Sequence, residues 1–309
     1  HNGLILLRKF IPHVVKNCPN CVIYLIDNNS SDSSVDYINK NYPEIKIIKL
    51  IKNYGYAKGY NKAVGYIDED VMIFLNNDAV FLDPDSFNTI KKTFEANKMI
   101  SIAQPRILDY NNRDKYEYAG ASGGYLDFLG YPFCRGRIIN NVEKINKYNT
   151  TREIFWASGS CFIIRKNIFK ILNGFDEDFF CHMEEIDLCW RLKNLNTNYK
   201  IITIGKANVF HIGGGTLQYG KNKKNYLNFR NSLVMLIKNL PKKYFISSLF
   251  LRFCSDLFIL ILSLLTFRLG LSINIISAYY FNVLNFRKSL LKRKKQLTSY
   301  KYFICFSIL

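Results

Sequence analysis

The sequence predicts an α/β fold: a mostly parallel sheet flanked by helices, followed by a helical segment that associates with membranes. Three observations support this prediction. Short apolar stretches alternate with helical stretches through the first half of the chain, as in sheets joined by crossover helices. Hydrophobic residues make up 49% of the 309 residues, which excludes a disordered or fibrous class. Beyond residue 240, eleven Lys and Arg stand against a single acid, Asp256.

The first 106 residues are expected to alternate between helices and strands. An amphipathic helix over 1–15 comes first with no strand before it, so we expect the first strand of the fold to lie outside this sequence. Strands are predicted at 22–27, 45–50, 71–75 and 100–106. Helices are predicted at 31–42, where Pro43 stops the helix, and at 57–67 and 85–97.

After a polar loop over 131–151 the alternation resumes. A strand is predicted over 154–164 and a helix over 184–195. Strands at 199–203 and 207–211 lead to a run of three glycines, Gly213, Gly214 and Gly215. A helix over 225–239 follows. Pro241 marks a boundary, which divides the chain into a main domain over 1–240 and a tail over 241–309.

The tail combines features of a membrane span and of a packed helix. The stretch 244–267 is apolar and long enough to cross a bilayer, for which about 20 residues are needed. Arg252 and Asp256 lie inside it, and a charge at mid-bilayer costs about 3 kcal/mol. Their spacing of four lets them pair on one helix face. We therefore expect helices that lie in the membrane interface, with a helical hairpin packed on the main domain as the alternative.

Charge and cysteine content indicate where the chain works. The basic tail favours an anionic membrane surface, where each Lys or Arg adds about 1 kcal/mol. Nucleic acid is not expected as a partner, because no recognition helix, zinc-finger spacing or RNA-binding motif is present. Eight irregularly spaced cysteines and the absence of a signal peptide indicate a reducing compartment. The expected location is the cytoplasmic face of a membrane.

Two acids stand at the ends of predicted strands. Asp27 ends the strand 22–27, and Asp78 follows the strand 71–75. In such sheets ligands bind beyond the carboxyl ends of the strands, although a lone Asp there is often only a turn former. Two acids at successive crossovers favour a shared ligand crevice. The absence of Gly-x-Gly-x-x-Gly and P-loop motifs argues against dinucleotide and P-loop sites.

Three acids crowd the start of the predicted helix 184–195: Glu184, Glu185 and Asp187. The helix dipole favours acids at this end, so capping alone accounts for one or two of them. Adjacent like charges raise the pKa of at least one acid. A raised pKa suits a carboxylate that takes a proton from an attacking hydroxyl.

An ordered series of motifs resembles the family-2 glycosyltransferases of the GT-A fold, especially the rhamnosyltransferase- and galactofuranosyltransferase-like branch. The motifs are HNGLILL (1–7), IDNNSSDSS (26–34), NYGYAKGYN (53–61), LNNDA (75–79), and FWASGSCFIIRK (155–166) with GFDEDFFCHMEEIDLCWRLK (174–193). The resemblance covers residues 1 to about 240. It implies an inverting transfer of a sugar from a dTDP- or UDP-sugar, such as dTDP-rhamnose, to a hydroxyl of a lipid-linked or growing surface glycan.

The resemblance implies that Glu185 is the catalytic base. Glu184 and Asp187 then orient the acceptor or hold Arg191, and either remains an alternative base. The alternative from another class is a catalytically inactive nucleotide-sugar-binding or scaffold protein of the same fold. It is favoured by Asn76, which stands where an Asp-x-Asp motif has its first acid.

The resemblance also implies binding roles. Asp78 and His211 are implied ligands of Mg²⁺ or Mn²⁺, which neutralises the leaving diphosphate. The implied nucleotide contacts are Asp27, Asn29, Asn53, Gly55, Lys58, Asn61, Asn76 and Asn77. The implied acceptor contacts are Trp156, Gly159 and Ser160. For Trp156, stacking on a sugar and packing in the core are equally expected.

Overall fold

The computed structural model describes residues 1–118, 120–138, 141–196, 198–213 and 221–293. Its helices are α1 (Leu4–Asn17), α2 (Ser34–Asn41), α3 (Gly55–Ala63), α4 (Pro84–Ala96), α5 (Lys166–Ile171), α6 (Glu184–Leu195), α7 (Lys221–Asn239), α8 (Phe245–Leu265), α9 (Leu269–Leu284) and α10 (Phe286–Leu291). Its strands are β1 (Tyr24–Asp27), β2 (Lys46–Lys49), β3 (Val71–Leu75), β4 (Ala79–Val80), β5 (Ile100–Asp109), β6 (Gly124–Leu126), β7 (Pro132–Cys134), β8 (Arg137–Ile138), β9 (Asn141–Val142), β10 (Arg152–Glu153), β11 (Cys161–Arg165) and β12 (Lys200–His211). The predicted α/β class is confirmed.

The strands form a central sheet, a separate parallel pair and two small hairpins. In the central sheet β10, β12, β5, β11 and β3 lie side by side in that order, and β4 pairs with the end of β12. Strands β1 and β2 form a parallel pair of their own. A cavity of about 1680 Å³ lies between β1 and β3, and residues of both strands line it. The cavity reaches the carboxyl ends of both strands, where the predicted site lies.

The central sheet is mixed, which corrects the expectation of a mostly parallel sheet. Strands β5 and β12 are parallel, but β11 runs antiparallel to both of its neighbours, β3 and β5. The chain leaves β5 for a long excursion and returns at the same end of the sheet, so β11 starts where β3 ends. Cys161 therefore pairs with Leu75, and Asn76 N–H donates to the Ser160 carbonyl at 3.1 Å.

Most predicted elements are present, with ends shifted by a few residues, and α6 begins and ends as predicted. The strand expected over 154–164 shortens to β11 because the preceding turn bonds elsewhere; Ser158 N–H, for example, donates to the Gln104 side chain. The two strands expected at 199–203 and 207–211 are one strand, β12, with a bulge between Ile204 and Asn208. The loop expected over 131–151 contains β7, β8 and β9.

The tail helices pack on α7. Arg252 and Asp256 form the expected ion pair, with Nε 2.8 Å from Oδ2, and both side chains are buried. Arg252 also donates to Ser232 Oγ on α7 at 2.8 Å. In the described part of the chain one helix, 242–265, is long and apolar enough to cross a membrane, and 22% of its apolar window is buried. Gly214, Gly215 and the end of the basic tail lie outside the described residues.

Candidate active site

The candidate active site is the part of the cavity at the carboxyl ends of β1 and β3. The end of β12 and the start of α6 complete its walls. Eleven of the residues singled out in the sequence line it: Asp27, Asn53, Gly55, Asn76, Asn77, Asp78, Gly159, Ser160, Glu184, Glu185 and His211. Segments that are far apart in the sequence therefore meet at one cavity, as the motif series implied.

Asn28 joins the two segments that were predicted to contact the nucleotide. Its Nδ2 donates to the Gly55 carbonyl at 2.9 Å, and its Oδ1 accepts from Tyr54 N–H at 2.8 Å. Gly55 has a φ of +76°, and an added Cβ would lie 2.8 Å from the Phe180 carbonyl, so only glycine fits here. Asp27 accepts from Ser30 N–H at 3.0 Å and is 7% exposed at the cavity wall. The sequence analysis did not single out Asn28, although Asn28 lies inside the motif IDNNSSDSS (26–34).

Three predicted nucleotide contacts do not line the cavity in the described residues. Lys58 pairs with Glu177, Nζ to Oε2 at 2.6 Å. Asn61 donates to the Phe175 carbonyl and accepts from Phe175 N–H, both at 2.8 Å, so its amide fastens a turn. Asn29 has a φ of +63° in the turn after β1. The structure gives Lys58 and Asn61 fastening roles that sequence spacing alone does not reveal.

Trp156 lies in the core and not in the cavity, which decides between its two expected roles. It is 5% exposed, and its indole Nε1–H donates to the Tyr125 carbonyl at 2.9 Å. Gly124 makes room for the ring, since an added Cβ there would meet it at 1.9 Å. Gly159, three residues later, does face the cavity, and its carbonyl accepts from the Tyr56 hydroxyl at 3.0 Å.

The implied metal ligands lie side by side. His211 Nε2 is 3.0 Å from Asp78 Oδ1, and the two side chains are 7% and 1% exposed. Glu117 Oε1 is 3.7 Å from His211 Nδ1, and Ser160 Oγ is 3.4 Å from the same nitrogen. Burial alone would lower the pKa of His211, but the hydrogen bonds to Asp78 and Glu117 outweigh it and raise the pKa to about 9. Glu117 stands in no motif and could not be found from spacing.

Glu184 and Glu185 start α6 at the cavity wall. Burial is the main cause that raises the pKa of Glu185 to about 7, although backbone N–H groups, including that of Gly159, oppose it. Burial and the charge of Glu185 raise the pKa of Glu184 well above its usual range. Within the described residues, Oε2 of each is buried without a hydrogen-bond partner. A buried carboxylate oxygen without a hydrogen-bond partner is available to accept a proton from a ligand. The pKa of Glu185, near neutral pH, suits this role.

Asp187 faces away from the cavity and is fully buried. Its carboxylate accepts from Arg191 Nε at 2.7 Å, Lys238 Nζ at 2.8 Å and Asn239 Nδ2 at 2.7 Å. Burial would raise the pKa of Asp187, but the charges of Lys238 and Arg191 outweigh it and lower the pKa. The structure therefore places Asp187 against Arg191, in line with the second of its expected roles, and not among the residues that line the cavity.

Side chains of α7 and of the segment after α10 fix the loop that leads into α6. Phe180, His182 and Met183 all have positive φ, between 61° and 72°, a region that costs non-glycine residues energy. The Asn231 amide on α7 donates to three carbonyls of this loop, including that of His182 at 2.7 Å. Lys292, beyond α10, donates to Asp176 and Asp178 at 2.6 Å each. Asn231 was missed, because it lies about 50 residues after the loop it holds.

The sequence is similar to those of two rhamnosyltransferases. The N-acetylglucosaminyl-diphospho-decaprenol L-rhamnosyltransferase of Mycobacterium tuberculosis is 24% identical over 206 residues, which are 61% of this chain and 66% of the relative. The dTDP-rhamnosyl transferase RfbF of Shigella flexneri is 25% identical over 235 residues, 71% of this chain and 72% of the relative. The chain thus spans about two thirds of the mycobacterial enzyme's length.

The fold is also that of solved glycosyltransferases. The mannosyltransferase PcManGT of Pyrobaculum calidifontis, in complex with GDP-Man and Mn²⁺, matches with a TM-score of 0.55 at 12% identity. The match covers 92% of this chain and 73% of that one. It confirms the predicted GT-A fold.

A protein-family model shows which family the chain belongs to. The model of "Glycosyl transferase family 2" matches residues 1–172, more than half of the chain. The match includes the strand ends that carry Asp27 and Asp78, whereas Glu185 and His211 lie beyond it. Both relatives named above are rhamnosyltransferases. The chain itself belongs to glycosyl transferase family 2.

Proposed function

We propose that this chain is an inverting, metal-dependent glycosyltransferase. It takes a sugar from a nucleotide-diphosphate donor, a dTDP- or UDP-sugar with dTDP-rhamnose as first candidate, and adds it to a hydroxyl of a lipid-linked or growing surface glycan at the cytoplasmic face of the membrane. One observation carries the proposal: the Glu185 carboxyl, with its pKa raised to about 7, faces the same cavity as Asp27 and Asp78. The names of the two relatives, both rhamnosyltransferases and one acting on a decaprenol-linked sugar, support rhamnose and a lipid-linked acceptor.

In the proposed reaction the acceptor hydroxyl gives its proton to Glu185 while its oxygen bonds to the anomeric carbon of the donor sugar. The bond from that carbon to the diphosphate oxygen breaks, and the nucleoside diphosphate leaves with the electron pair. Because the oxygen attacks opposite the leaving group, the anomeric configuration inverts. No side chain bonds covalently to the sugar, so a single carboxylate is sufficient.

Asp78 and His211 fit a divalent cation as a partial ligand set. A carboxylate and an imidazole 3.0 Å apart can bind one ion together, and the ion would replace the proton on His211. In the described part of the chain no group of three or more His, Cys, Asp or Glu side chains is arranged to hold a metal. Donor phosphates and water would supply the remaining ligands, as is common for Mg²⁺. The bound ion would supply positive charge to the leaving diphosphate.

A nucleotide sugar that matches the site is expected to raise the melting temperature of the protein. Ligand at 100 times Kd stabilises by about 2.7 kcal/mol, which corresponds to a shift of about 5 °C or more in a domain of this size. The measurement is thermal unfolding with dTDP-, UDP- and GDP-sugars, with and without Mn²⁺. Asp27→Ala should lose the shift, and Lys58→Ala, whose ammonium pairs with Glu177, should keep it. No shift with any nucleotide sugar would contradict donor binding.

Removing the metal is expected to abolish transfer. Asp78→Ala or EDTA should lower the transfer rate about 100-fold or more, because the departing diphosphate loses its neutralising charge. Asp85→Ala, which removes an exposed acid from the first turn of α4, is the matched control. Unchanged transfer in EDTA would show that the reaction needs no metal.

A further inference from the structure

The tail helices α8 and α9 have an inverted distribution of polar and apolar side chains. All buried residues of α8 are polar, namely Ser248, Arg252, Asp256 and Ser263. Three of the five buried residues of α9 are polar as well. A helix that packs on a protein in water normally turns its apolar stripe to the core. Here the polar stripe faces the protein.

The polar stripe of α8 is bonded to the main domain. Asp256 accepts a hydrogen bond from the Tyr131 hydroxyl of the main domain at 2.5 Å and another from the Tyr279 hydroxyl of α9 at 2.8 Å. Arg252 lies 3.9 Å over the Tyr131 ring and donates to the Leu129 carbonyl at 3.1 Å. Moving α8 into a bilayer as a span would break these contacts and leave a buried ion pair without its partners. The contacts therefore favour a helix that stays on the domain.

The opposite side of α8 is apolar and exposed. We call this side, with its continuation on α9, the apolar face; it includes Phe250, Phe253, Phe258, Ile261, Leu265 and Ile273. At 3.6 residues per turn Phe250, Phe258, Ile261 and Leu265 fall opposite Arg252 and Asp256, and Phe253 lies at the edge of the face. Phe258 is 67% exposed, Leu265 72% and Ile273 63%. A contiguous exposed apolar surface of this kind marks an interaction site.

Cations surround the apolar face, and exposed acids are absent from its sequence. Lys242 and Lys243 precede α8, Arg268 lies between α8 and α9, and Arg287 is in α10; all four are exposed. From 242 to 293 the sequence contains one acid, the buried Asp256. Cations at both ends of an apolar helix face, with no exposed acid between them, match anionic lipid headgroups beside acyl chains better than an apolar protein surface.

We infer that α8 and α9 bind one leaflet of an anionic bilayer as an in-plane hairpin. The apolar face enters the acyl region, the flanking cations meet the headgroups, and the polar stripe of α8 remains on the main domain. The inference does not depend on the proposed reaction. If the full chain transfers sugar to a soluble acceptor but does not bind vesicles, only the inference is overturned. If it binds vesicles but transfers no sugar, only the proposed function is overturned.

Vesicle flotation of the full chain tests the surface. The protein should float with vesicles of 30% phosphatidylglycerol in phosphatidylcholine and float less in 0.5 M NaCl, since salt screens the headgroup charges. Phe258→Glu with Ile261→Glu should lower the bound fraction about tenfold or more, as apolar burial is replaced by repelled charge. Ile5→Glu, the same change at an 83% exposed Ile of α1, is the matched control. Undiminished flotation of the double variant would overturn the inference.

A labelling experiment separates an in-plane hairpin from a span. Thr266, exposed in the turn after α8, is replaced by Cys, and the protein is bound to the outside of sealed vesicles. A membrane-impermeant maleimide should label Cys at this position from outside, as identified by mass spectrometry. Labelling only after detergent opens the vesicles would place the turn in the lumen and show that α8 crosses the bilayer.

Discussion

Replacing Glu185 with Gln is expected to lower kcat for sugar transfer by a factor of about 10²–10⁴, the usual contribution of a general base. The amide keeps the shape of the carboxyl but cannot accept the acceptor proton. Donor binding should persist, because Asp27 and Asp78 are untouched. The measurement is transfer rate alongside donor-induced thermal shift. Glu177→Gln, which changes a half-exposed carboxyl paired with Lys58, is the matched control.

The pH dependence gives an independent readout of the same residue. Only the ionised carboxylate accepts a proton, so kcat should fall about tenfold per pH unit below about 7, the raised pKa of Glu185.

The raised pKa of Glu185 also lowers the stability of the folded protein. The pKa is raised from 4.5, so the folded protein favours the protonated form, and the cost of the buried charge develops as pH rises from 4.5 to about 7.

Glu185→Gln should therefore be more stable than the parent by up to about 3 kcal/mol above pH 7 and equally stable near pH 4. Urea unfolding at the two pH values measures this difference. Full turnover in the Gln variant would remove Glu185 as the base, and equal stability at both pH values would show that its carboxyl is not perturbed by burial.

Replacing Asp187 with Asn is expected to lower stability, whereas Glu185→Gln raises it. Asp187→Asn should lower the free energy of unfolding by about 3–5 kcal/mol, because Arg191 loses the carboxylate that it pairs with and the buried Lys238 keeps only Asp176 as a counter-charge. Calorimetric or urea unfolding measures the loss. Asp187→Asn combined with Lys238→Met should recover part of it, since the buried ammonium that has lost one of its two carboxylates is then absent. A stable but inactive Asp187→Asn would instead show that Asp187 takes part in the chemistry.

Local patterns predicted the elements that depend on local physics. Helix α6 was predicted to the residue, because its apolar period and its acidic first turn both lie in one segment. The pairing of Arg252 with Asp256 also follows from spacing alone. The antiparallel direction of β11 could not be read from its sequence, since a buried apolar strand looks the same in either direction.

The site was predictable to the extent that its residues stand in motifs. Asp78 and His211 were paired across 133 positions by resemblance, and the structure brings them to 3.0 Å. Glu117 was not found, because one acid in a loop carries no pattern. Lys58 and Asn61 were assigned to the nucleotide for their place in a motif, yet their partners, Glu177 and Phe175, lie more than 100 residues away. Only the fold shows which partner a polar side chain takes.

The loop before α6 limits how this protein can be engineered. Its left-handed residues are held by Asn231 on α7 and by Lys292 beyond α10, so its shape depends on segments distant in sequence. A chimera that exchanges only 176–195 would bring the carboxylates without the scaffold that orients them. Exchanging that segment together with 221–293 would transfer both as one module. The boundary at Pro241 is thus a poor place to recombine this chain with a relative.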